Sequence, residues 1–524
     1  MLRSTMAMRS VSRQLGSPRA AMSAMCLNRM MSTVPTYRST RGGQTGLKFG
    51  DVVLQGLGTD RGLLVPETLP TFPAGAPECW RGLSFQELAY EIMSMYIPAD
   101  EIPAENLKKI IAKSYEFGGG PPTYKGWRDE DITPVKSLPD DMHVLELFHG
   151  PTFAFKDVAL QFLGNLFEEL LSTRPGKKIT VVGATSGDTG SSAIHGLRGK
   201  KGVECFIMYP EGRTSRTQEL QMISVVDENI HNIALRGTFD DCQATVKACF
   251  NDHAFNKEIS IAAVNSINWA RILAQMVYYV HAYLKVTKPG SGEKVSFSVP
   301  TGNFGDILAG FYAKKMGLPV DQLIVATNQN DILHRFFGSN GDYTLDKNGV
   351  AETISPSMDI GVSSNFERFL FHMGGDDAAQ MKALMDNFEK SGALNPPDAL
   401  VSACSAEMDS ASVTDPEILV EINETYKKSG GYVLDPHSAI GVAAARKART
   451  PGSTTPMICL ACAHWAKFPD ANKAAIGAEA AKSLTVPEPL ASLHTLPTRV
   501  SSQPYDVKTV QGFIKETLSG RGVL

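Results

Sequence analysis

Apolar residues recur along this chain with two periods, and their alternation points to a fold class. Short stretches at 179–182, 204–208, 296–299 and 323–326, either mostly apolar or alternating apolar with small polar residues, predict strands. Between them lie segments with helical spacing. Val158, Ala159, Phe162, Leu163, Leu166, Phe167 and Leu170 predict an amphipathic helix that begins at Lys156. Strand and helix alternate over residues 136–480, which predicts an α/β core with a parallel sheet covered on both faces. Residues 36–135 mix helical patterns, such as Phe85 to Met93, with Pro/Gly breaks, of which 118–122 is the clearest linker. The stretch 327–430 is less regular, with breaks rich in Asn, Asp, Gly and Ser around 338–349. Residues 481–524 form a proline-punctuated tail, expected to pack on the core and to end in a helix over 510–518. No repeat long enough for a solenoid occurs.

Two strand-to-helix junctions carry candidate chemistry. Gly183-Ala-Thr-Ser186-Gly187-Asp188-Thr189-Gly190 follows one predicted strand, and Pro300-Thr-Gly302-Asn303-Phe304-Gly305-Asp306 follows another. Free backbone N–H groups and the helix dipole converge at such junctions, and glycine lets an anion approach closely. Neither turn is a P-loop or a dinucleotide fingerprint. A third patch, Asn265-Ser266-Ile-Asn-Trp-Ala-Arg271, reads either as ordinary helix capping or as an anion site around the Arg271 fork.

The lysine in His149-Gly-Pro-Thr-Phe-Ala-Phe-Lys156-Asp157 sits among aromatic residues at a helix start. Apolar neighbours and the positive end of the dipole both disfavour its ammonium form. Enzymes bring such lysines from ~10.4 toward ~7–8, where the neutral amine attacks aldehydes. A lysine whose stem packs while its head stays wet is the alternative reading.

Together these motifs resemble the threonine synthases of fungi and many bacteria, pyridoxal-phosphate enzymes of fold type II. The resemblance runs from Tyr37-Arg-Ser-Thr-Arg-Gly42 and Asp60-Arg-Gly62-Leu-Leu-Val-Pro66 to the C-terminal region. It implies two parallel-sheet α/β subdomains with the cofactor between them, and an added N-terminal domain over 36–135. Lys156 is then the residue that holds the cofactor aldehyde, and Gly302, Asn303, Phe304, Gly305 and Asp306 cradle the cofactor phosphate. Ser186, Asp188 and Thr189 face the cofactor ring and the substrate, with Asp188 counted toward the cofactor. Asn265, Ser266 and Arg271 hold the phosphate of the substrate, O-phospho-L-homoserine. Where the family usually has threonine beside the pyridine nitrogen, this chain has Cys462; Trp465 replaces a proline, and Ser438 stands where threonine is common. The implied reaction converts O-phospho-L-homoserine and water to L-threonine and phosphate. A phospholyase that releases phosphate from O-phosphohomoserine or O-phosphothreonine to give 2-oxobutyrate is the alternative. A non-catalytic relative would show damage at the lysine or the glycine turns, yet Lys156, Gly302 and Asn303 are intact.

Composition narrows the classes further. With 524 residues, 43% hydrophobic and 20% charged, the chain has material for a large multi-domain enzyme. A net charge of −4 offers no basic surface for nucleic acid, and no run of 18 apolar residues suggests a membrane span. Cys459-Leu-Ala-Cys462 lacks a second pair at zinc spacing, so no metal is expected, and the eight cysteines show no disulfide framework. The first acidic residue is Asp51, preceded by Arg3, Arg9, Arg13, Arg19 and Arg29 in a Ser/Met/Ala-rich stretch. Residues 1–35 therefore read as a transit peptide for a mitochondrion or plastid, whereas initiation at Met31 would leave a cytoplasmic protein. Monomer and homodimer both stay open.

Overall fold

The computed structural model describes residues 34–118 and 126–524. The expected leader and the linker after Gly118 lie almost entirely outside the described residues. Two sheets of six and five strands dominate. In chain order their strands are β1 (Val135–Leu138), β2 (Met142–Glu146), β3 (Ile179–Ala184), β4 (Val203–Pro210), β5 (Ile230–Arg236), β6 (Ile261–Ala262), β7 (Val295–Pro300), β8 (Val320–Thr327), β9 (Asp409–Ser412), β10 (Met457–Ala461) and β11 (Ser501–Pro504). β4, β7 and β10 are buried at every position. Helices cover both faces of a parallel sheet, so even Glu204 of β4 and Ser296 and Ser298 of β7 are buried.

The six-stranded sheet runs β9-β8-β7-β10-β2-β1. It is parallel except for β1, which pairs antiparallel with β2. Asp140 and Asp141, both at positive φ, turn the chain between them. The five-stranded sheet, β11-β5-β4-β3-β6, is wholly parallel. Its edge strand β11 comes from the proline-punctuated tail. Ahead of both sheets, Tyr37–Ser39 pairs antiparallel with Leu64–Pro66, and Phe85–Met93 forms the predicted helix behind a Ser84/Glu87 capping box.

Five helices place the site: α1 (Lys156–Ser172), α2 (Asp188–Leu197), α3 (Trp269–Val286), α4 (Gly305–Met316) and α5 (Pro436–Ala448). α1 starts at Lys156 as predicted, but it is not amphipathic. Every residue from Lys156 to Phe167 is buried, because α2, α3 and N-terminal helices surround it. A Cβ built on Gly164 would lie 1.9 Å from the carbonyl oxygen of Gly196, so only glycine lets α1 and α2 meet backbone to backbone. That crossing sets the distance between the residues at the two helix starts, Lys156 and Asp188. Among the described residues no helix is long and apolar enough to cross a membrane, and no cluster of metal-binding side chains is found. Six described cysteines are free and buried.

Candidate active site

The carboxyl ends of β3, β7 and β10 converge on the start of α1. This is where open α/β sheets bind ligands, since loops there are free to diverge. The lysine loop is stitched to the end of β10: Ala154 bridges Ala463, the Phe155 N–H donates to the Cys462 carbonyl at 2.7 Å, and the His464 N–H to that of Phe153 at 3.1 Å. Lys156 and Cys462, far apart in sequence, are thereby fixed on one wall. Gly187 at φ 153° turns the chain after β3, where a Cβ would strike the Gln218 side chain at 2.4 Å. Phe304 takes a left-handed φ of 60° to start α4 after β7.

These elements enclose a cavity of about 1090 Å³. Lys156, Ser186, Asp188, Thr189, Asn265, Ser266, Arg271, Gly302, Asn303, Phe304, Gly305, Asp306 and Cys462 all line it, so the structure brings every residue expected from the sequence to one place. Their surroundings refine the expectations. The cap of α3 is Asn268, which accepts from the Ala270 N–H. Asn265 and Ser266 are left facing the cavity, and the Ser266 hydroxyl lies 3.3 Å from that of Ser364.

Lys156 is 8% exposed, and burial is the main force that lowers its pKa. Arg271 and Lys467 add to that; Asp188 and the Cys462 thiol oppose it without cancelling it. The amine is thus shifted toward the neutral form that a nucleophile needs. Asp188 behaves oppositely. Burial pushes its pKa up, but Lys467, then Lys156 and His437, outweigh burial and hold it well below the usual carboxylate range. Its Oδ1 takes the Lys467 ammonium at 2.6 Å and the Gln218 amide at 2.9 Å. Burial and the neighbouring Asp435 and Asp306 push the Cys462 thiol far up, so it stays neutral.

Two groups await an anion. Arg271 is 4% exposed, donates to the Val264 carbonyl at 3.0 Å, and has no partner at Nε and no carboxylate among the described residues. Burial lowers its pKa to about 10, a strain that an incoming anion would relieve. In the turn after β7, the N–H groups of Gly302, Asn303 and Phe304 have no acceptor among the described residues. One turn with free N–H groups, one buried guanidinium and one amine shifted toward neutrality fit a phosphorylated aldehyde and a phosphorylated substrate. That chemistry matches pyridoxal phosphate.

Several functional side chains escaped the sequence reading. Lys467 is fully buried between Asp188 and the Thr152 carbonyl, 2.9 Å away. His437 takes the Ser357 N–H at Nε2 and faces Asp435 at 2.7 Å through Nδ1. Ser357 belongs to the irregular 350–364 stretch, which forms part of the cavity wall.

The comparisons with known proteins agree with this geometry. Family models described as threonine synthase N terminus, pyridoxal-phosphate dependent enzyme, and threonine synthase C-terminal match residues 36–115, 136–462 and 438–514. A threonine synthase of Schizosaccharomyces pombe is 47% identical over 465 residues, covering 84% of this chain and 88% of that one. One from Pseudomonas aeruginosa is 47% identical over 481 residues, covering 92% and 98%. The crystal structure of a PLP-bound threonine synthase from Brucella melitensis superposes with a TM-score of 0.85 at 42% identity, covering 92% of this chain and 99% of that one.

Proposed function

The chain belongs to the threonine synthase family and is a pyridoxal-phosphate-dependent lyase of threonine biosynthesis; we propose that the Lys156 cavity turns O-phospho-L-homoserine and water into L-threonine and phosphate with its residues in the following roles. Lys156 would hold the cofactor aldehyde through Nζ, and its free amine would take the proton from Cα as general base. The free N–H groups of the Gly302–Phe304 turn and the start of α4 hold the cofactor phosphate. Bound there, the cofactor supplies a sink for the electron pair left at Cα. Cys462, its thiol kept neutral, would stand beside the pyridine nitrogen. Arg271, with Asn265 and Ser266, grips the substrate phosphate and stays with it as the Cγ–O bond breaks. Ser186 and Thr189 orient the substrate carboxylate and amine, while Asp188, ionised, fixes the wall opposite. Loss of a Cβ proton expels the phosphate, which takes up a proton; Cγ is then protonated to the methyl group, water adds its hydroxyl at Cβ, and Lys156 returns a proton to Cα.

The observation that carries this reading is an amine shifted toward its neutral form sharing one cavity with a buried arginine that lacks a carboxylate. Incubation with O-phospho-L-homoserine should yield threonine and phosphate in equal amounts; 2-oxobutyrate in place of threonine would make the protein a phospholyase instead. An organelle destination rests on the leader composition, and a reporter fused to residues 1–35 that stays diffuse in the cytosol would reject it.

A further inference from the structure

Ser363-Ser364-Asn365 leads into the helix Phe366–Met373 and lies against both anion sites. The Ser363 hydroxyl donates to the Gly302 carbonyl at 2.6 Å. The Asn303 carbonyl takes the Asn365 N–H at 3.1 Å and the Asn365 Nδ2 at 2.9 Å. Across a planar trans peptide the carbonyl and the following N–H point in opposite directions. With the carbonyls of Gly302 and Asn303 drawn toward 363–365, the N–H groups of Asn303 and Phe304 face the other way. Both lack an acceptor among the described residues, and the turn that carries them lines the cavity. The same amide reaches the second anion site, because Asn365 Nδ2 also donates to the Ser266 carbonyl at 3.2 Å. Its Oδ1 takes Arg368 Nη1 at 2.6 Å, and a guanidinium only donates, so the amide can turn only its nitrogen toward the two carbonyls. Arg368 Nη2 holds the next carbonyl, that of Ile267, at 2.8 Å. Ser364 adds a strut: its hydroxyl donates to Asn303 Oδ1 at 3.1 Å and lies 3.3 Å from the Ser266 hydroxyl.

From these contacts we propose that Ser363 and Asn365 are positioning residues: they aim the N–H groups of Asn303 and Phe304 at the cofactor phosphate, and the Asn365 amide ties that turn to the substrate-phosphate patch at Ser266. Neither residue has to touch a ligand to do this; both act through the peptides they hold. The turn needs an outside grip, because Phe304 sits at a left-handed φ of 60°, a conformation that side-chain-bearing residues keep only when their surroundings enforce it. Released from that grip, the peptide after Asn303 can rotate and present its carbonyl oxygen to the phosphate in place of an N–H. Ser363, Asn365 and Arg368 are all buried, so water does not compete for these bonds. Donors fixed before the anion arrives cost no ordering when it binds. One amide with two acceptors therefore serves both anion sites, and its loss should be felt at both.

This inference rests on the cofactor reading above, and its test separates the two. The full chain, freed of cofactor, is titrated in phosphate-free buffer with pyridoxal 5'-phosphate and with pyridoxal, which lacks the phosphate. Ser363→Ala and Asn365→Ser should each lower the preference for pyridoxal 5'-phosphate over pyridoxal about tenfold, the worth of one charged hydrogen bond, while pyridoxal affinity is kept. Residues that only hold the fold would lower both affinities alike; that result, or an unchanged preference, overturns the assignment. Calorimetric titration of the cofactor-saturated proteins with inorganic phosphate reads the second site. Asn365→Ser should bind it about tenfold more weakly than wild type, and Ser363→Ala as tightly as wild type. Weakening in both variants, or in neither, overturns the tie through Asn365. Should Asn365→Ser fail to fold, Asn365→Thr, close to asparagine in volume, carries the same measurements and the same expectations. A wild type that does not prefer pyridoxal 5'-phosphate to pyridoxal, or that binds no phosphate once loaded, would reject the proposed function itself.

Discussion

Replacing Lys467 by methionine removes the ammonium 2.6 Å from Asp188 while keeping most of the stem's volume. The two side chains are 0% and 3% exposed, so water cannot rehydrate the carboxylate left behind. Breaking a buried pair from one side costs about 3–5 kcal/mol. The Gln218 amide at 2.9 Å and the Ser357 hydroxyl at 3.4 Å still reach Asp188, which places the expected loss near the lower end, about 3 kcal/mol. The pH dependence follows from the direction of the Asp188 shift. Its folded pKa lies below the unfolded one, so in the wild type its contribution is full above about pH 4 and fades as the pH falls through the folded value. Without Lys467, burial loses its strongest opponent and the folded pKa rises. The deficit of the variant should therefore be widest near neutral pH and narrow toward about pH 5, as the stranded carboxylate is protonated. Urea unfolding followed by tryptophan fluorescence at both pH values reads this, with Lys467→Met/Asp188→Asn as the second arm. The double variant lacks the stranded charge and should be more stable than Lys467→Met alone. A single variant within about 1 kcal/mol of wild type at neutral pH, or a double variant no better than the single, would refute the reasoning.

Arg271→Ala should raise KM for the phosphorylated substrate by about 10- to 100-fold, the worth of a charged hydrogen bond, and change cofactor affinity little in equilibrium dialysis. Equal loss of both would assign that patch to the cofactor anion. Cys462→Ser should keep the cofactor. Cys462→Asp puts a carboxyl where burial, Asp435 and Asp306 all raise its pKa, so its folded value exceeds the unfolded one and thermal stability should fall as the pH rises above about 4. A Cys462→Asp protein as stable as wild type at neutral pH would contradict this. Gly164→Ala forces α1 and α2 apart against a 1.9 Å contact, beyond the ~1–3 kcal/mol of ordinary overpacking, and should abolish cofactor retention on gel filtration; a retained cofactor would show that the crossing does not set the site.

How much of this was legible in the sequence depended on whether the signal was local. Lys156 stood out because its aromatic neighbours and helical spacing lie within a few residues of it. The glycine turns after β3 and β7 were legible for the same reason. The helical period of α1 was read correctly but its burial was not. Its polar positions are themselves buried and satisfied: Asp157 takes the Thr152 N–H and hydroxyl at 2.7 Å, and Asn165 donates to the Ser114 hydroxyl at 2.9 Å. A polar residue with a distant partner looks the same in sequence as one facing water. Lys467 was missed likewise, since Asp188 lies in another sheet's helix. β11 carries Ser-Ser-Gln-Pro, with no apolar alternation to detect, and is a strand because β5 offers it a free edge. The 350–364 stretch has no period, and only the cavity it borders shows what it does.

The central claim is that Lys156 carries the cofactor, and reduction of the loaded protein with borohydride followed by peptide mass spectrometry tests it most directly. The account predicts the mass of the reduced pyridoxyl phosphate on the peptide containing Lys156, and none in Lys156→Ala. Label on another lysine, or on no lysine, would contradict it.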